Sequence, residues 1–276
     1  MGLASTLAHK LPPGRRRTLR KLRERAISWR YSADLIRLGE CFRTDKWGSH
    51  WYLQHYQRHF SALRKRPLNL LEIGVGDYSD PAEGGSSLRM WKAYFPNARI
   101  FGMDVYDKRA LEEDRIRILQ GSQTDERFLR KVVEEVGGFD IVIDDGSHIN
   151  SHVIETFEMM FPLLRNPGIY AIEDAQTSYW PGFGGSSRHL GDTSTIMGYC
   201  TSLAHCLNYE EILREDYSPS EFDRHIVGMH LYHNLVIVQK GDNREGSNMV
   251  QGGRATVPAV INGVSYDDVQ QSVANG

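Results

Sequence analysis

Residues 139–148 read FDIVIDDGSH, and this stretch decides the fold. Its first part, Phe139 to Ile143, is a short, mostly apolar run of the kind that forms a strand buried on both faces of a parallel sheet. The run ends on two acids, Asp144 and Asp145. In open α/β sheets, ligands bind in the crevice beyond the carboxyl ends of the strands. The two acids are therefore candidates for a ligand site.

A second buried run, Gly168 to Ile172, also ends on acids, Glu173 and Asp174. If both strands lie in one sheet, these carboxylates meet Asp145 at the same edge, and their mutual repulsion favours a bound cation. Hard divalent cations such as Mg²⁺ accept carboxylate oxygens and keep positions open for water or substrate, and Mn²⁺ prefers similar ligands. Alternation along the strand turns Asp144 away from Asp145, so we expect Asp144 to support the site from behind.

Strand and helix patterns alternate through the middle of the chain, which predicts a mostly parallel, doubly wound α/β sheet. Two runs at 228–232 and 235–240, separated by two residues, predict a closing antiparallel hairpin. A helix is predicted from Asp125 to Val136, with Thr124 as its N-cap. We divide the chain into a basic arm (1–35), a helical cap (36–66), an α/β domain (67–240) and a C-terminal tail (241–276).

The composition is that of an ordinary globular protein. The 276 residues are 40% hydrophobic and 25% charged, with a net charge of −2, so neither disorder nor a fibrous class is indicated. Cys41, Cys200 and Cys206 show no CxxC spacing, which argues against a disulfide framework or a zinc site. No apolar run approaches the roughly 20 residues needed to cross a bilayer, and no secretory signal is visible. We therefore expect a cytoplasmic protein.

The start of the chain carries a cluster of basic residues, namely Arg15, Arg16, Arg17, Arg20, Lys21, Arg23 and Arg25. The simplest interpretation is a solvated helix face. The interleaved Leu19, Leu22, Ile27 and Trp29 favour a second interpretation, peripheral contact with the inner membrane surface. Nucleic-acid binding is not expected, because the rest of the chain shows no second basic stripe and no nucleic-acid-binding motif.

A glycine turn follows the first predicted strand, where residues 70–77 read LLEIGVGD. Gly74 and Gly76 let the backbone approach a ligand at the strand end. The third glycine of the dinucleotide fingerprint is missing, which argues against NAD. Asp104 ends the next strand, where a carboxylate can bind both ribose hydroxyls of a nucleoside. The following strand end carries further candidates for the edge of an adenine: Gly121, Ser122 and Gln123.

These motifs resemble the class I S-adenosylmethionine-dependent methyltransferases, whose first motif matches Glu72 to Gly76 and whose ribose-binding acid matches Asp104. More narrowly, the order of the motifs resembles the metal-dependent sugar O-methyltransferases of the mycinamicin VI 2''-O-methyltransferase type. The matching segments are Thr44 to Lys46, Glu72 to Gly76, Gly85 to Lys92, Asp144 to His148, and Glu173-Asp174. The resemblance spans roughly residues 40 to 240.

The resemblance implies a Rossmann-like class I methyltransferase fold with an N-terminal helical extension, and a homo-oligomer. It implies that Asp145, Glu173 and Asp174 hold the metal, Mg²⁺ or Mn²⁺, that Asp145 also lies at the cofactor, and that His148 is the general base. The remaining residues that the resemblance places at S-adenosyl-L-methionine are Thr44, Glu72 and Ser86.

The implied reaction is the attack of a sugar hydroxyl on the sulfonium methyl group of the cofactor. Coordination to a divalent metal lowers the pKa of a hydroxyl, and two vicinal hydroxyls can chelate one ion and so fix the orientation of the sugar. His148 can accept the proton, because the unperturbed pKa of histidine is near 6.5. The long segment 175–198, rich in Gly, Ser and Trp, predicts a substrate loop.

Three functions fit these residues. The first is an O-methyltransferase that acts on a sugar hydroxyl of a glycoside, a glycolipid or an oligosaccharide. The second is a metal-dependent O-methyltransferase of a catechol-type small molecule, since two adjacent aromatic hydroxyls chelate a metal equally well. The third is a cofactor-binding module without catalysis, which would bind S-adenosylmethionine tightly but turn over no diol.

Overall fold

The computed structural model describes residues 13–76, 80–247, 249–251, 254–255, 260–261 and 264–265. Its centre is a seven-stranded sheet in the order β3-β2-β1-β4-β5-β7-β6. The strands are β1 (Asn69–Ile73), β2 (Arg99–Asp104), β3 (Ile116–Gln120), β4 (Ile141–Asp144), β5 (Gly168–Ile172), β6 (Ile226–Tyr232) and β7 (Leu235–Lys240). The first five pair in parallel, and β7 runs antiparallel to both β5 and β6.

Eight α-helices surround the sheet within the described residues. They are α1 (Pro13–Tyr31), α2 (Leu35–Phe42), α3 (Leu53–Phe60), α4 (Ser86–Tyr94), α5 (Glu126–Val136), α6 (Asn150–Leu163), α7 (Ile196–Ser202) and α8 (Glu221–His225). Short 3₁₀ helices occupy Ser61–Leu63, Arg109–Leu111, Ala175–Tyr179, Pro181–Phe183 and Leu203–Glu211, and two small hairpins pair Val250–Gln251 with Arg254–Ala255 and Val260–Ile261 with Val264–Ser265. Within the described ranges, none of the helices combines the length and apolar character that crossing a bilayer requires.

The strand side chains alternate between two hydrophobic cores, one on each face of the sheet. Ile141 and Ile143 of β4 pack with α2, α3 and α4, whereas Val142 packs with α5, α6 and α7. The apolar strands therefore form because both of their faces are covered, as expected for parallel strands. The same alternation sends the next two residues, Asp144 and Asp145, to opposite sides of the sheet.

The predicted α/β fold is confirmed, including the antiparallel closing hairpin. The predicted N-cap of α5 was wrong by one residue. Asp125, not Thr124, is the N-cap, with its side chain accepting a hydrogen bond from the N–H of Phe128 at 3.1 Å. The Thr124 hydroxyl instead lies 2.9 Å from that of Ser122. Both residue types cap helices well, so the choice depends on the backbone that precedes the helix.

The carboxyl ends of β1, β2, β3, β4 and β5 lie at one edge of the sheet, because these five strands are parallel neighbours. This edge carries the predicted site residues from Glu72 to Asp174. The first 12 residues of the predicted arm and, in the predicted tail, every residue from 266 onward lie outside the described residues.

Candidate active site

A cleft with two connected parts lies over this edge of the sheet. The larger part is a cavity of about 450 Å³, and among its lining residues are Thr44, Gly74, Gly76, Ser86, Asp145, His148 and Asp174. The smaller part, about 200 Å³, is lined by Asp104, Tyr106, Gly121 and Gln123, among others. Gly74 lines both parts. The two parts of the cleft thus adjoin at the glycine turn.

The larger cavity contains a group of possible metal ligands, one atom each from Asp145, His148 and Asp174, all within 4.8 Å of one another. The Nε2 atom of His148 lies 3.9 Å from Oδ1 of Asp145 and 3.7 Å from Oδ2 of Asp174. Tyr52 donates a hydrogen bond of 2.7 Å to Oδ1 of Asp174, which fixes that carboxylate. Residues from the two segments that follow β4 and β5 thus converge on one point.

Backbone conformation also marks this cavity. Five non-glycine residues of the described chain have a positive φ, and three of them line the larger cavity: Arg43 (59°), His148 (56°) and Asp174 (54°). The left-handed region costs a non-glycine residue on the order of 1–3 kcal/mol, and such residues cluster at functional sites. The surrounding structure therefore holds His148 and Asp174 in positions that local preference alone would not select.

The imidazole of His148 has one nitrogen in the cavity and one inside the protein. Nε2 faces the two carboxylates. Nδ1 is buried without a protein hydrogen-bond partner among the described residues. Buried polar atoms are normally satisfied, so an orphaned one needs an explanation, such as a water or ligand at the site.

Glu173 lies beside this group but is held by other partners. Its Oε2 accepts a hydrogen bond of 2.8 Å from Nζ of Lys46, and its Oε1 accepts one of 2.7 Å from Tyr56. The same ammonium group contacts Oδ2 of Asp145 at 2.7 Å and Oε1 of Glu72 at 3.1 Å. Lys46 is only 1% exposed, so it is a buried cation at the centre of three carboxylates.

The acids of this cluster outnumber the buried ammonium group that they share. Burial alone would lower the pKa of Lys46, but Asp145, Glu173 and Glu72 outweigh it and raise that pKa well above its usual value. Burial raises the pKa of all three carboxyls, and Asp145 raises that of Glu173 further. One ammonium cannot neutralise three carboxylates, and Asp174 adds a fourth nearby. A divalent cation among these oxygens would supply the missing charge.

The glycine turn brings the backbone of β1 against the backbone that follows β4. Gly74 has a φ of 88°, and a Cβ there would lie 2.0 Å from the carbonyl oxygen of Asp145. Gly76 has a φ of 77°, and a Cβ there would meet no atom of the described residues within 4 Å. Gly74 is therefore required for close packing of the two strand ends, whereas Gly76 faces the open cleft.

Asp104 lies at the lip of the smaller cavity with a fixed orientation. Its Oδ2 accepts a hydrogen bond of 3.0 Å from the N–H of Val75, and its Oδ1 accepts one of 2.9 Å from the N–H of Tyr106. A carboxylate has about four lone-pair positions, so both oxygens can still accept from a ligand. The predicted ribose acid therefore also braces the glycine turn.

Two predicted cofactor residues do not line either part of the cleft. Glu72 lies beneath it, 1% exposed, and accepts a hydrogen bond of 2.9 Å from the indole N–H of Trp91. Ser122 pairs with Thr124 instead. The other candidates, Thr44, Ser86, Gly121 and Gln123, line the cleft as predicted.

Asp144 points away from the cleft, as strand alternation predicted. Its carboxyl accepts hydrogen bonds from Gln123 Nε2 and from the Tyr170 hydroxyl, each at 3.2 Å. Gln123 in turn accepts a hydrogen bond of 2.8 Å from the N–H of Ser147. Burial raises the pKa of Asp144 to about 7. This residue thus supports the loop that leads to His148.

The raised pKa of Asp144 predicts a pH-dependent cost to stability. Between about pH 4 and pH 7 the folded protein keeps a proton on this group that the unfolded chain has released, so the free energy of unfolding falls as the pH rises through that range. Asp144→Asn cannot ionise. The free energy of unfolding of Asp144→Asn should therefore rise relative to that of the wild type as the pH increases. The difference should grow by about 1.4 kcal/mol per pH unit between pH 4 and pH 7, to about 4 kcal/mol at pH 8.

Urea unfolding of the unliganded protein at pH 4 to 8 measures this difference. Asp216→Asn is the matched control, because the Asp216 side chain is 82% exposed, and its stability should follow that of the wild type. A stability difference between Asp144→Asn and the wild type that does not change with pH would contradict the raised pKa of Asp144.

Comparison with known proteins identifies the fold. No protein-family model matches the sequence. The chain is 48% identical over 216 residues to 8-demethyl-8-(2-methoxy-alpha-L-rhamnosyl)-tetracenomycin-C 3'-O-methyltransferase of Streptomyces olivaceus, covering 78% of this chain and 55% of that protein. It is 47% identical over 215 residues to mycinamicin VI 2''-O-methyltransferase of Micromonospora griseorubida, covering 77% of this chain and 54% of that protein. The chain spans about half the length of these relatives.

Solved structures agree with the sequence comparison. The MycE methyltransferase from the mycinamycin biosynthetic pathway, in complex with Mg and SAH, superposes with a TM-score of 0.77 at 43% identity, covering 88% of this chain and 60% of that one. A second MycE structure, which also contains mycinamycin VI, gives a TM-score of 0.76 at 44% identity over 87% of this chain and 59% of that one. By sequence the chain is therefore homologous to sugar O-methyltransferases, and by structure it has their Rossmann-like class I methyltransferase fold.

Proposed function

We propose that this protein is a divalent-metal-dependent O-methyltransferase that transfers a methyl group from S-adenosylmethionine to a sugar hydroxyl. One observation carries the proposal above the others. The group formed by Asp145, His148 and Asp174 lines the same cavity as the glycine turn at Gly74 and Gly76. The residues proposed as metal ligands, base and cofactor-binding turn therefore share one space, which supports a methyl transfer to a metal-bound hydroxyl.

The two parts of the cleft suit the two parts of the methyl donor. The smaller cavity, which Asp104, Gly121 and Gln123 help to line, suits the ribose and adenine. The larger cavity, with Thr44 and Ser86, suits the methionine portion and the acceptor. SAH and Mg are both present in the MycE structures that resemble this chain, which supports the same cofactor and metal here.

Asp145, Glu173 and Asp174 would hold the metal, Mg²⁺ or Mn²⁺. Asp145 and Asp174 already face each other across the cavity. Glu173 accepts one hydrogen bond on each oxygen, which leaves lone pairs for a cation. When bound, the cation would act as a Lewis acid that lowers the pKa of a coordinated hydroxyl and orients a vicinal diol.

The residues of the chain would move the proton and align the acceptor. The acceptor oxygen attacks the methyl carbon, a C–O bond forms, the C–S bond breaks, and the hydroxyl proton passes to Nε2 of His148. That nitrogen faces the two carboxylates where the acceptor would lie. Asp145 and Asp174 flank the imidazole and stabilise its positive charge after the transfer. A positioned base of this kind typically contributes about 10²–10⁴-fold.

The acceptor is proposed to be a sugar on a glycoside, a glycolipid or an oligosaccharide. The similarity to methyltransferases of glycosylated compounds supports a sugar over a catechol. Exposed aromatic side chains near the site also fit a sugar ring: Trp51 precedes the Tyr52 that bonds Asp174, and Trp180 ends the 3₁₀ helix that follows Asp174. The segment after Asp174 remains the predicted substrate loop.

An acceptor screen with labelled S-adenosylmethionine, run with and without Mg²⁺, tests the proposal. We expect labelled methyl groups on glycosides that carry vicinal hydroxyls, and no transfer after metal removal. Labelling of catechols alone would favour the catechol enzyme. Tight cofactor binding without turnover on any diol would favour the non-catalytic module.

Three broader expectations accompany this function. We propose that residues 67–240 form the catalytic domain behind a helical cap, and that the arm and the tail lie outside it. We propose a cytoplasmic enzyme, which the free thiols of Cys41, Cys200 and Cys206 support, since a reducing compartment maintains thiols. We also propose a homo-oligomer, on the basis of the sequence resemblance, and light scattering coupled to size-exclusion chromatography measures its size.

A further inference from the structure

Helix α1 has one face that packs on the protein and one that does not. On the inner face, Ile27 and Tyr31 pack against the hydrophobic core. Arg20 contacts Glu113 at 3.3 Å, and Glu24 contacts Arg89 at 3.8 Å. The helix is therefore anchored in one rotational setting, and the composition of its outer face is well defined.

The outer face carries an exposed apolar stripe. Leu19, Leu22 and Trp29 are 52%, 56% and 85% exposed, and Ala26 between them is also exposed. The spacing of 3, 4 and 3 residues places all four on one line along the helix. An indole that is 85% exposed is unusual on a soluble surface, where large apolar patches mark interaction sites.

Basic residues flank the stripe on both sides. Lys21 and Arg25 lie on one side, and Arg23 and Arg30 on the other; all four are exposed. Among the described residues, Lys21 and Arg25 form no ion pair, so their charges are not neutralised by the protein. An apolar line between two cationic borders is the pattern of a helix that lies in the plane of a membrane interface.

One border opens into a cationic cavity of about 390 Å³ between α1 and the rest of the protein. Six basic and two acidic side chains line it; the basic ones are Lys21, Arg25, Arg64, Arg89, Lys92 and Arg115. Arg115 donates to the carbonyls of Lys92, Phe95 and Ala98, which fixes its position but does not neutralise its charge. Lys92 pairs with Glu113 at 2.6 Å and Arg89 with Glu24 at 3.8 Å. The part of the cavity lined by Lys21 and Arg25 therefore suits an anionic group such as a phosphate.

We propose that the outer face of α1 binds an anionic phospholipid surface, with the cavity beside it receiving a phosphate headgroup. Leu19, Leu22 and Trp29 enter the boundary between headgroups and acyl chains, while Lys21 and Arg25 contact the phosphates. This places the enzyme at a membrane surface, and the proposal is independent of the acceptor proposed above.

A second copy of the chain is a poorer occupant of this face. The 3-4-3 spacing also fits the seam of a two-stranded coiled coil. The residues that would border such a seam are Arg23, Arg25 and Arg30, so two copies would place like charges against each other. Charge complementarity therefore favours an anionic partner.

Vesicle flotation with the full chain tests the proposal. We expect the wild type to bind vesicles of phosphatidylcholine and phosphatidylglycerol, to bind pure phosphatidylcholine weakly, and to dissociate as salt is added. Lys21→Gln with Arg25→Gln should lower the partition coefficient about 25-fold, since each basic residue near an anionic surface contributes about fivefold. Trp29→Ala should weaken binding to the same vesicles.

Matched controls distinguish binding through the outer face of α1 from nonspecific attraction between the protein's charge and the vesicles. Arg130→Gln with Lys131→Gln changes the net charge equally on exposed positions of α5, and should bind like the wild type. Trp180→Ala removes a different exposed indole and should also bind normally. All variants should keep the wild-type circular dichroism spectrum and melting temperature, because the substituted side chains are exposed.

Several outcomes would overturn the proposal. The first is an equal loss of vesicle binding in the α1 and α5 variants. The second is that the wild type does not bind anionic vesicles. The third is that the protein binds inorganic phosphate through Lys21 and Arg25 but binds no vesicles. The last of these would identify the cavity as a site for a free anion. The assay needs neither cofactor nor turnover, so failure of the methyltransferase assignment would not affect it.

Discussion

Asp145→Asn is expected to lower methyl transfer by at least about a thousandfold. The substitution removes a charged ligand from the centre of the group formed with His148 and Asp174. Lewis-acid stabilisation by a bound metal contributes several kcal/mol, and each 1.4 kcal/mol corresponds to tenfold in rate. Turnover of a sugar acceptor with labelled S-adenosylmethionine measures the loss, and isothermal titration with Mg²⁺ measures metal binding directly.

The control for Asp145 is the exposed Asp216→Asn variant, which should keep wild-type turnover. S-adenosylmethionine binding to Asp145→Asn should remain largely intact, since Asp104, Gly121 and Gln123 line the smaller cavity, which Asp145 does not line. Full activity of the wild type in excess EDTA would remove the metal from the mechanism, whatever the variant does.

His148→Ala should lower kcat by about 10²–10⁴-fold, the usual contribution of a positioned general base. Mg²⁺ affinity should change far less, because Asp145, Glu173 and Asp174 all remain. Single-turnover rates and metal titration on the same preparation separate the two effects. The result distinguishes a base from a metal ligand, and both roles fit the distances of Nε2 to the two carboxylates.

His152→Ala is the neighbouring control for His148. His152 lies in the first turn of α6, four residues after His148. Its Nδ1 is 3.1 Å from the Ser147 hydroxyl, and the residue does not line the larger cavity. Its turnover should stay close to that of the wild type. An unchanged rate in His148→Ala would place the base elsewhere, whereas loss of metal binding in His148→Ala would make His148 a ligand.

Local sequence patterns were sufficient to predict the fold and much of the site. Apolar runs of strand length that alternate with helical patterns predict a parallel sheet, and parallel strands carry their carboxyl ends to one edge. The convergence of Asp145 and Asp174 follows from that geometry, and His148 follows from its place three residues after Asp145. The opposite orientation of Asp144 follows from strand alternation.

Lys46 could not be predicted in the same way. It lies between α2 and α3, 127 positions from Glu173 in the chain, and its role depends on how the helical cap packs against the sheet. No periodic pattern signals such a contact. For the same reason the sequence could not show that Glu72 faces Lys46 and Trp91 rather than the cleft. The only signal in the sequence for Lys46 was the excess of acids at the strand ends, which requires a positively charged partner.

The position of Lys46 has a consequence for anyone who dissects this protein. The ammonium group of Lys46 and the hydroxyls of Tyr52 and Tyr56 come from the segment before residue 67. The acids that they contact lie at the ends of the sheet strands. A fragment that began at residue 67 would retain Glu72, Asp145, Glu173 and Asp174 and lose the buried ammonium group of Lys46 that contacts the first three. Such a truncation would leave these carboxylates without the cation that they contact in the intact protein. The cap and the sheet are therefore best produced, mutated and transplanted as one piece.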